Sequence, residues 1–317
     1  MTRANALLLA AASLLCGCAA LQEEYSPDEA TPAPREDANP ALHYEPSLER
    51  GLESLELLGE GRELVARLKE NPIKIQYAPL TGPWPRYLRA DRTLLIPEKE
   101  RRHRQTLPLL LARGLALSQM YDRIQVADDL AEFEVLAAMA QARVASQASM
   151  YDEDKIASTP SGQETIKEIC VYAIEGPDRF AEMIRRDCLL PNLEYDRPTE
   201  TFESSLHWVQ RMQQGLSDNS FYQLLYKRDL DRVRRNAITR AEADENASKF
   251  RGQDADAIWR EERKYMYRTR KNIDDAQIFY RQQMDYDALW RSQYADAIAT
   301  RIKELKGCQS YELLPGI

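Results

Sequence analysis

Leu107-Pro108-Leu109-Leu110-Leu111-Ala112-Arg113-Gly114-Leu115-Ala116-Leu117-Ser118-Gln119-Met120-Tyr121 decides how the chain is read. The stretch is a strongly apolar helix, with Thr106 placed to cap it and Pro108 tolerated in its first turn. Immediately before it, Ile73-Lys74-Ile75-Gln76-Tyr77 alternates with period two and predicts a strand. Arg86 to Pro97 predicts a second strand with a central Asp-containing turn, after the turn-rich Gly82-Pro83-Trp84-Pro85. After it, Asp129 with Glu132 has the form of a capping box opening a further helix from Leu130 to about Ser149.

Working outward, Leu48, Leu52, Leu55 and Leu58, then Leu64, Val65 and Leu68, repeat at helical spacing and are interrupted near Gly59 and Gly61, which predicts two helices. The cluster Ser158-Thr159-Pro160-Ser161-Gly162 precedes a helix over Glu164 to Ala173, and Pro177, Pro191 and Pro198 punctuate the stretch between that helix and Thr201. From Thr201 onward the pattern is almost wholly helical, with stripes such as Trp208, Met212 and Leu216, and later Ile278, Leu289, Trp290, Ile298 and Ile302. The dense aromatics Tyr222, Tyr226, Tyr265, Tyr267, Tyr280, Tyr286 and Tyr294, with Trp259 and Trp290, are read as packing of long amphipathic helices, with a binding face interleaved with arginine as the alternative. The fold class is therefore mainly α (α+β): a small β-hairpin or sheet with helices over 47–198, then a helical region over 199–317.

The formal net charge is −8, so no basic footprint for nucleic acid is present. There is no Gly-x-Ser-x-Gly elbow, phosphate-binding loop or dinucleotide-binding glycine fingerprint. Three histidines, His43, His103 and His207, are scattered. Cys170 with His207 is the candidate pair for a cysteine enzyme, and neither has a flanking motif. Neighbouring carboxylates such as Asp274 and Asp275 point apart on a helix and make a poor acid/base pair.

The N-terminus reads as an export signal: a basic start at Arg3, the apolar run Ala6 to Ala12, then Leu15-Cys16-Gly17-Cys18. The run is far short of the ~20 apolar residues that cross a bilayer. Leu15-Cys16-Gly17-Cys18 resembles the lipobox of bacterial lipoproteins, with Cys16 a departure from the usual small residue. The resemblance implies a signal peptide over 1–17, lipid attachment at Cys18 and, because Ala19 and Ala20 are not acidic, an outer-membrane destination facing the periplasm or the surface. A signal peptide releasing a soluble product is the alternative. Residues 18–46, acidic and rich in proline, cannot bury enough apolar surface to offset their ordering entropy and read as a tether. Of the cysteines left after Cys18, an oxidising compartment permits one disulfide, and proximity in sequence favours Cys170 with Cys188.

The order strand, strand, apolar helix, second helix with an acidic residue resembles the core of zincin-class zinc peptidases. In that family an edge strand, here Thr93-Leu94-Leu95-Ile96-Pro97, precedes a helix bearing HExxH, and the next helix gives a third ligand. Leu110 to Gln119 resembles that active helix with its chemistry removed. Arg113 stands for the first histidine, Gly114 for the glutamate base, Leu117 for the second histidine, and Glu134 for the third ligand. A guanidinium repels a metal and stays protonated, leucine has no lone pair, and glycine cannot deprotonate water. The resemblance thus implies no catalytic residue, no metal and no cofactor, with Arg113 and Glu134 free to form an ion pair in the vacated site. The role expected is a lipid-anchored binding or scaffolding protein of the envelope, meeting the membrane through Cys18 and an envelope protein or peptide. A hydrolase with an unrecognised site and a self-associating helical spacer are the alternatives; the oligomeric state is left open.

Overall fold

The computed structural model describes residues 44–124, 126, 129–147, 153–189, 200–217, 221–234, 238–249 and 255–311. The export signal, Cys18 and the tether as far as His43 lie outside the described residues, as do Pro191 and Pro198. The architecture is mainly α with one small sheet.

Helices α1 (Pro46–Glu56) and α2 (Gly59–Glu70) are the two pieces that the leucine spacing predicts. They meet closely because Gly61 has no side chain: a Cβ there would sit 2.1 Å from the Leu55 carbonyl oxygen. Strands β1 (Lys74–Ala78), β2 (Arg86–Leu88) and β3 (Thr93–Pro97) come next. The order is β1-β3-β2, with β1 parallel and β2 antiparallel to β3. Thr93–Pro97 is therefore the central strand, and the expectation that it forms an edge is corrected. Its almost continuous burial, with Leu94 and Ile96 fully covered, suits a central strand.

After a short 3₁₀ turn (Glu98–Arg102), α3 (Thr106–Arg123) and α4 (Ala131–Gln147) form the central helix pair. Both are buried almost all round, as their apolar compositions demand. Thr106 is not the cap expected: it is the first helical residue, and its buried Oγ1 has no hydrogen-bond partner. The Glu132 carboxylate accepts the backbone N–H of Phe202 (3.2 Å) at the start of a distant helix, while the Asp129 carboxylate accepts from Arg89 (3.0 Å).

Beyond α5 (Glu153–Ile156), α6 (Pro160–Glu175) begins with Pro160 in its first turn and Thr159 Oγ1 accepting the Gly162 N–H (3.0 Å). Helix α7 (Pro177–Leu189) restarts after Gly176 at φ 86°, a left-handed backbone that suits glycine. The remaining helices are α8 (Phe202–Ser217), α9 (Phe221–Arg234), α10 (Arg240–Lys249), the long α11 (Ala255–Gln293), α12 (Ala295–Glu304) and α13 (Lys306–Tyr311). Residues Leu42–Ile317 form one compact unit, in which α11 packs on α4 and α8 while α12 and α13 return to α6. No helix of the described residues is long and apolar enough to cross a membrane.

That return settles the disulfide. Cys170 on α6 is bonded to Cys308 on α13, not to Cys188, correcting the pairing drawn from sequence proximity. Cys188 lies on α7, outside that bond. A cysteine in a disulfide is no nucleophile, so the Cys170–His207 enzyme is also withdrawn.

Candidate functional site

The centre of interest is a buried charge cluster where α3, α4 and α6 meet. Arg113 is only 3 % exposed, yet it carries a permanent cation into the protein interior. Its Nη1 donates to Glu168 Oε2 at 2.7 Å and, at greater length, to Gln141 Oε1 at 3.4 Å. Its Nη2 lies 3.5 Å from Glu134 Oε2. Above the guanidinium, 3.8 Å from its carbon, sits the ring of Trp84, so the face not used for hydrogen bonding is covered by a cation–π contact. Gln141 is held in turn by donating to Thr165 Oγ1 (3.1 Å), which donates to the Ser161 carbonyl (2.7 Å).

One guanidinium thus faces two buried carboxyl groups. Burial works against the Arg113 cation, but Glu168 and Glu134 outweigh it and hold its pKa above the usual value. The two carboxyl groups share that one cation. Burial raises the Glu168 carboxyl to about 7, and Arg113 offsets this only in part. The arrangement places a proton on Glu168 close to neutral pH, 2.7 Å from a fixed cation and shielded from water.

The positions suggested by the zincin resemblance separate into two groups. Arg113 and Glu134 come together, joined by Glu168. Gly114 does not face the cluster: a Cβ there would lie 2.6 and 2.8 Å from the two methyl groups of Leu94 on β3, so the missing side chain is what lets α3 approach the sheet. Leu117 is buried within the hydrophobic core. Among the described residues, no group of three His, Cys, Asp or Glu side chains is arranged to hold a metal ion.

Sequence reasoning missed Glu168 and Trp84. Glu168 shares its helical face with Thr165 and Tyr172, at spacings of three and four, and that buried stripe was the available signal. Trp84, between Pro83 and Pro85, carries only the mark of a turn.

A second buried network ties α11 to the body. Arg143 on α4 donates to Asp287 Oδ1 (2.8 Å) and Glu60 Oε2 (3.1 Å), while the Tyr172 hydroxyl also donates to Asp287 Oδ1 (2.8 Å). Arg291 donates to the carbonyl of Tyr172, and Tyr286 donates to Glu60 Oε1 (2.9 Å). Asp287 is fully buried, so this long helix is fixed by charge as well as by the burial of Ile273 and Trp290. Beside the network a cleft of about 270 Å³ opens between α2, α3, α4 and α11, with Glu63, Arg67, Arg123 and Gln283 around a floor of Met120 and Leu136.

No model of a known protein family matches the chain, and no curated protein or solved structure is detectably similar to it.

Proposed function

We propose that the chain is an envelope lipoprotein, anchored by lipid on Cys18, whose folded body binds or scaffolds other envelope components and does not hydrolyse peptides. The observation that carries the non-enzymatic half is the Arg113 guanidinium, held between Glu168 and Glu134 under Trp84. A permanent cation at that place competes with any divalent metal for the same carboxylates, and the indole closes the approach to it. The Cys170–Cys308 bond supports an oxidising compartment, as export requires. The mixed-charge cleft beside α11 offers a concave surface for a protein or peptide partner.

The anchor is tested by feeding producing cells an alkyne-tagged fatty acid. Label on the wild-type chain, absent from Cys18→Ala, with the variant moving to the soluble fraction, is expected; equal labelling of both refutes it. The binding role is tested with a photo-cross-linking residue at Gln283, beside the cleft, set against labelling by hydrolase-directed covalent probes. A discrete cross-linked envelope protein without probe labelling is expected. Probe labelling that competes with peptide would favour the hydrolase alternative.

A further inference from the structure

From Tyr267 onward, helix α11 divides into a core face and a water face. Ile273, Ala276, Asp287 and Trp290 are buried, whereas Tyr267, Ile278 and Leu289 are exposed by 39, 54 and 57 %. These three large apolar residues are eleven apart, which is three turns at 3.67 residues per turn, so they form a straight line along the helix. At 1.5 Å per residue that line is about 33 Å long. Lys271 and Asp274 stand on it in the first interval, and Gln282 and Asp285 in the second, all four exposed.

The order of these residues is symmetric about Ile278. A two-fold axis through Ile278, perpendicular to the helix, sets a second copy antiparallel to the first. Ile278 then meets its own equivalent, Tyr267 meets Leu289, and Lys271 meets Asp285. The flanking Asp275 and Arg281, both exposed, meet in the same way. Every contact but the Ile278 pair on the axis occurs twice, as two-fold symmetry requires. Parallel pairing in register would instead oppose Lys271 to Lys271 and Asp285 to Asp285, a repulsive arrangement that discriminates against it.

We propose that the chain forms a two-fold homodimer through α11, antiparallel and centred on Ile278. The apolar residues give the seam its burial, and the two Lys271–Asp285 and two Asp275–Arg281 pairs fix register and direction. The inference is independent of the lipid anchor and of the Arg113 cluster.

Sedimentation velocity of the full chain in non-ionic detergent, over a hundredfold range of concentration, tests it. A concentration-dependent passage from one chain to two is expected. Ile278→Asp and Lys271→Asp alter exposed side chains, and each should weaken the dimer by roughly tenfold or more: the first replaces the apolar contact on the axis with two facing carboxylates, and the second turns two attractive pairs into two repulsive ones. Combining Lys271→Asp with Asp285→Lys restores opposite charges and should recover most of that loss. A chain that stays monomeric throughout overturns the proposal, as does a dimer indifferent to Ile278→Asp. A charge swap that fails to rescue overturns the antiparallel register.

Discussion

Replacing Glu168 by glutamine should change stability in a way that depends on pH and has an unusual sign. The folded protein holds the Glu168 carboxyl at about 7, against an ordinary 4.5 in the unfolded chain. Between those values the folded state keeps a proton that the unfolded state has released. The stabilisation tied to that proton is complete below 4.5 and is lost as pH rises through 7. At about 1.4 kcal/mol for each tenfold in proton affinity, the whole effect is about 3 kcal/mol. Glutamine mimics the protonated acid, still accepts from Arg113 and cannot titrate. Guanidinium unfolding followed by circular dichroism, at fixed ionic strength and oxidised, should find wild type and Glu168→Gln close together at pH 5. At pH 8 the variant should be the more stable by up to about 3 kcal/mol. If the variant is instead most destabilised at pH 8, Arg113 holds Glu168 as a carboxylate and the argument from two acids sharing one cation is refuted.

Arg113→Met leaves Glu134 and Glu168 buried without a cation and should cost about 3 to 5 kcal/mol near neutral pH, less in acid, measured by the same unfolding. The Cys170–Cys308 bond closes a separation of 138 residues, so replacing both cysteines by alanine should lower stability by up to about 5 kcal/mol. Cys188→Ala should matter far less, and a Cys170–Cys188 peptide in a non-reducing digest would contradict the structure. Gly114→Ala gains about 1 kcal/mol of helix propensity but drives a methyl into Leu94, at a cost of about 1 to 3 kcal/mol. A net loss is expected, and Leu94→Ala in that background should cost less than it does alone; strict additivity would show that the two do not collide.

Local patterns carried much of the architecture into the sequence. Alternation marked β1, the turn before Thr93 marked the hairpin, and the apolar run from Leu107 marked α3, because each is set by the residues within it. Sheet order was not legible, since the parallel pairing of β1 with β3 depends on how the connection between them folds back. The Arg113–Glu134 approach was anticipated from the zincin resemblance, which sets opposite charges at ligand positions on neighbouring helices, and the two lie 3.5 Å apart. Glu168 carries no motif of its own within that helix, and it is buried because α6 packs against α4 and brings it to Arg113. The disulfide was misread for the same reason: Cys188 is near Cys170 in sequence, but α13 brings Cys308 from the far end of the chain.

The most direct test of the account is the metal content of the purified chain after equilibration with excess zinc and dialysis, by elemental mass spectrometry. The Arg113 cation between Glu134 and Glu168 predicts zinc at background. Near one zinc per chain, abolished by Glu134→Ala, would contradict the proposal that the buried guanidinium keeps a divalent metal from these carboxylates.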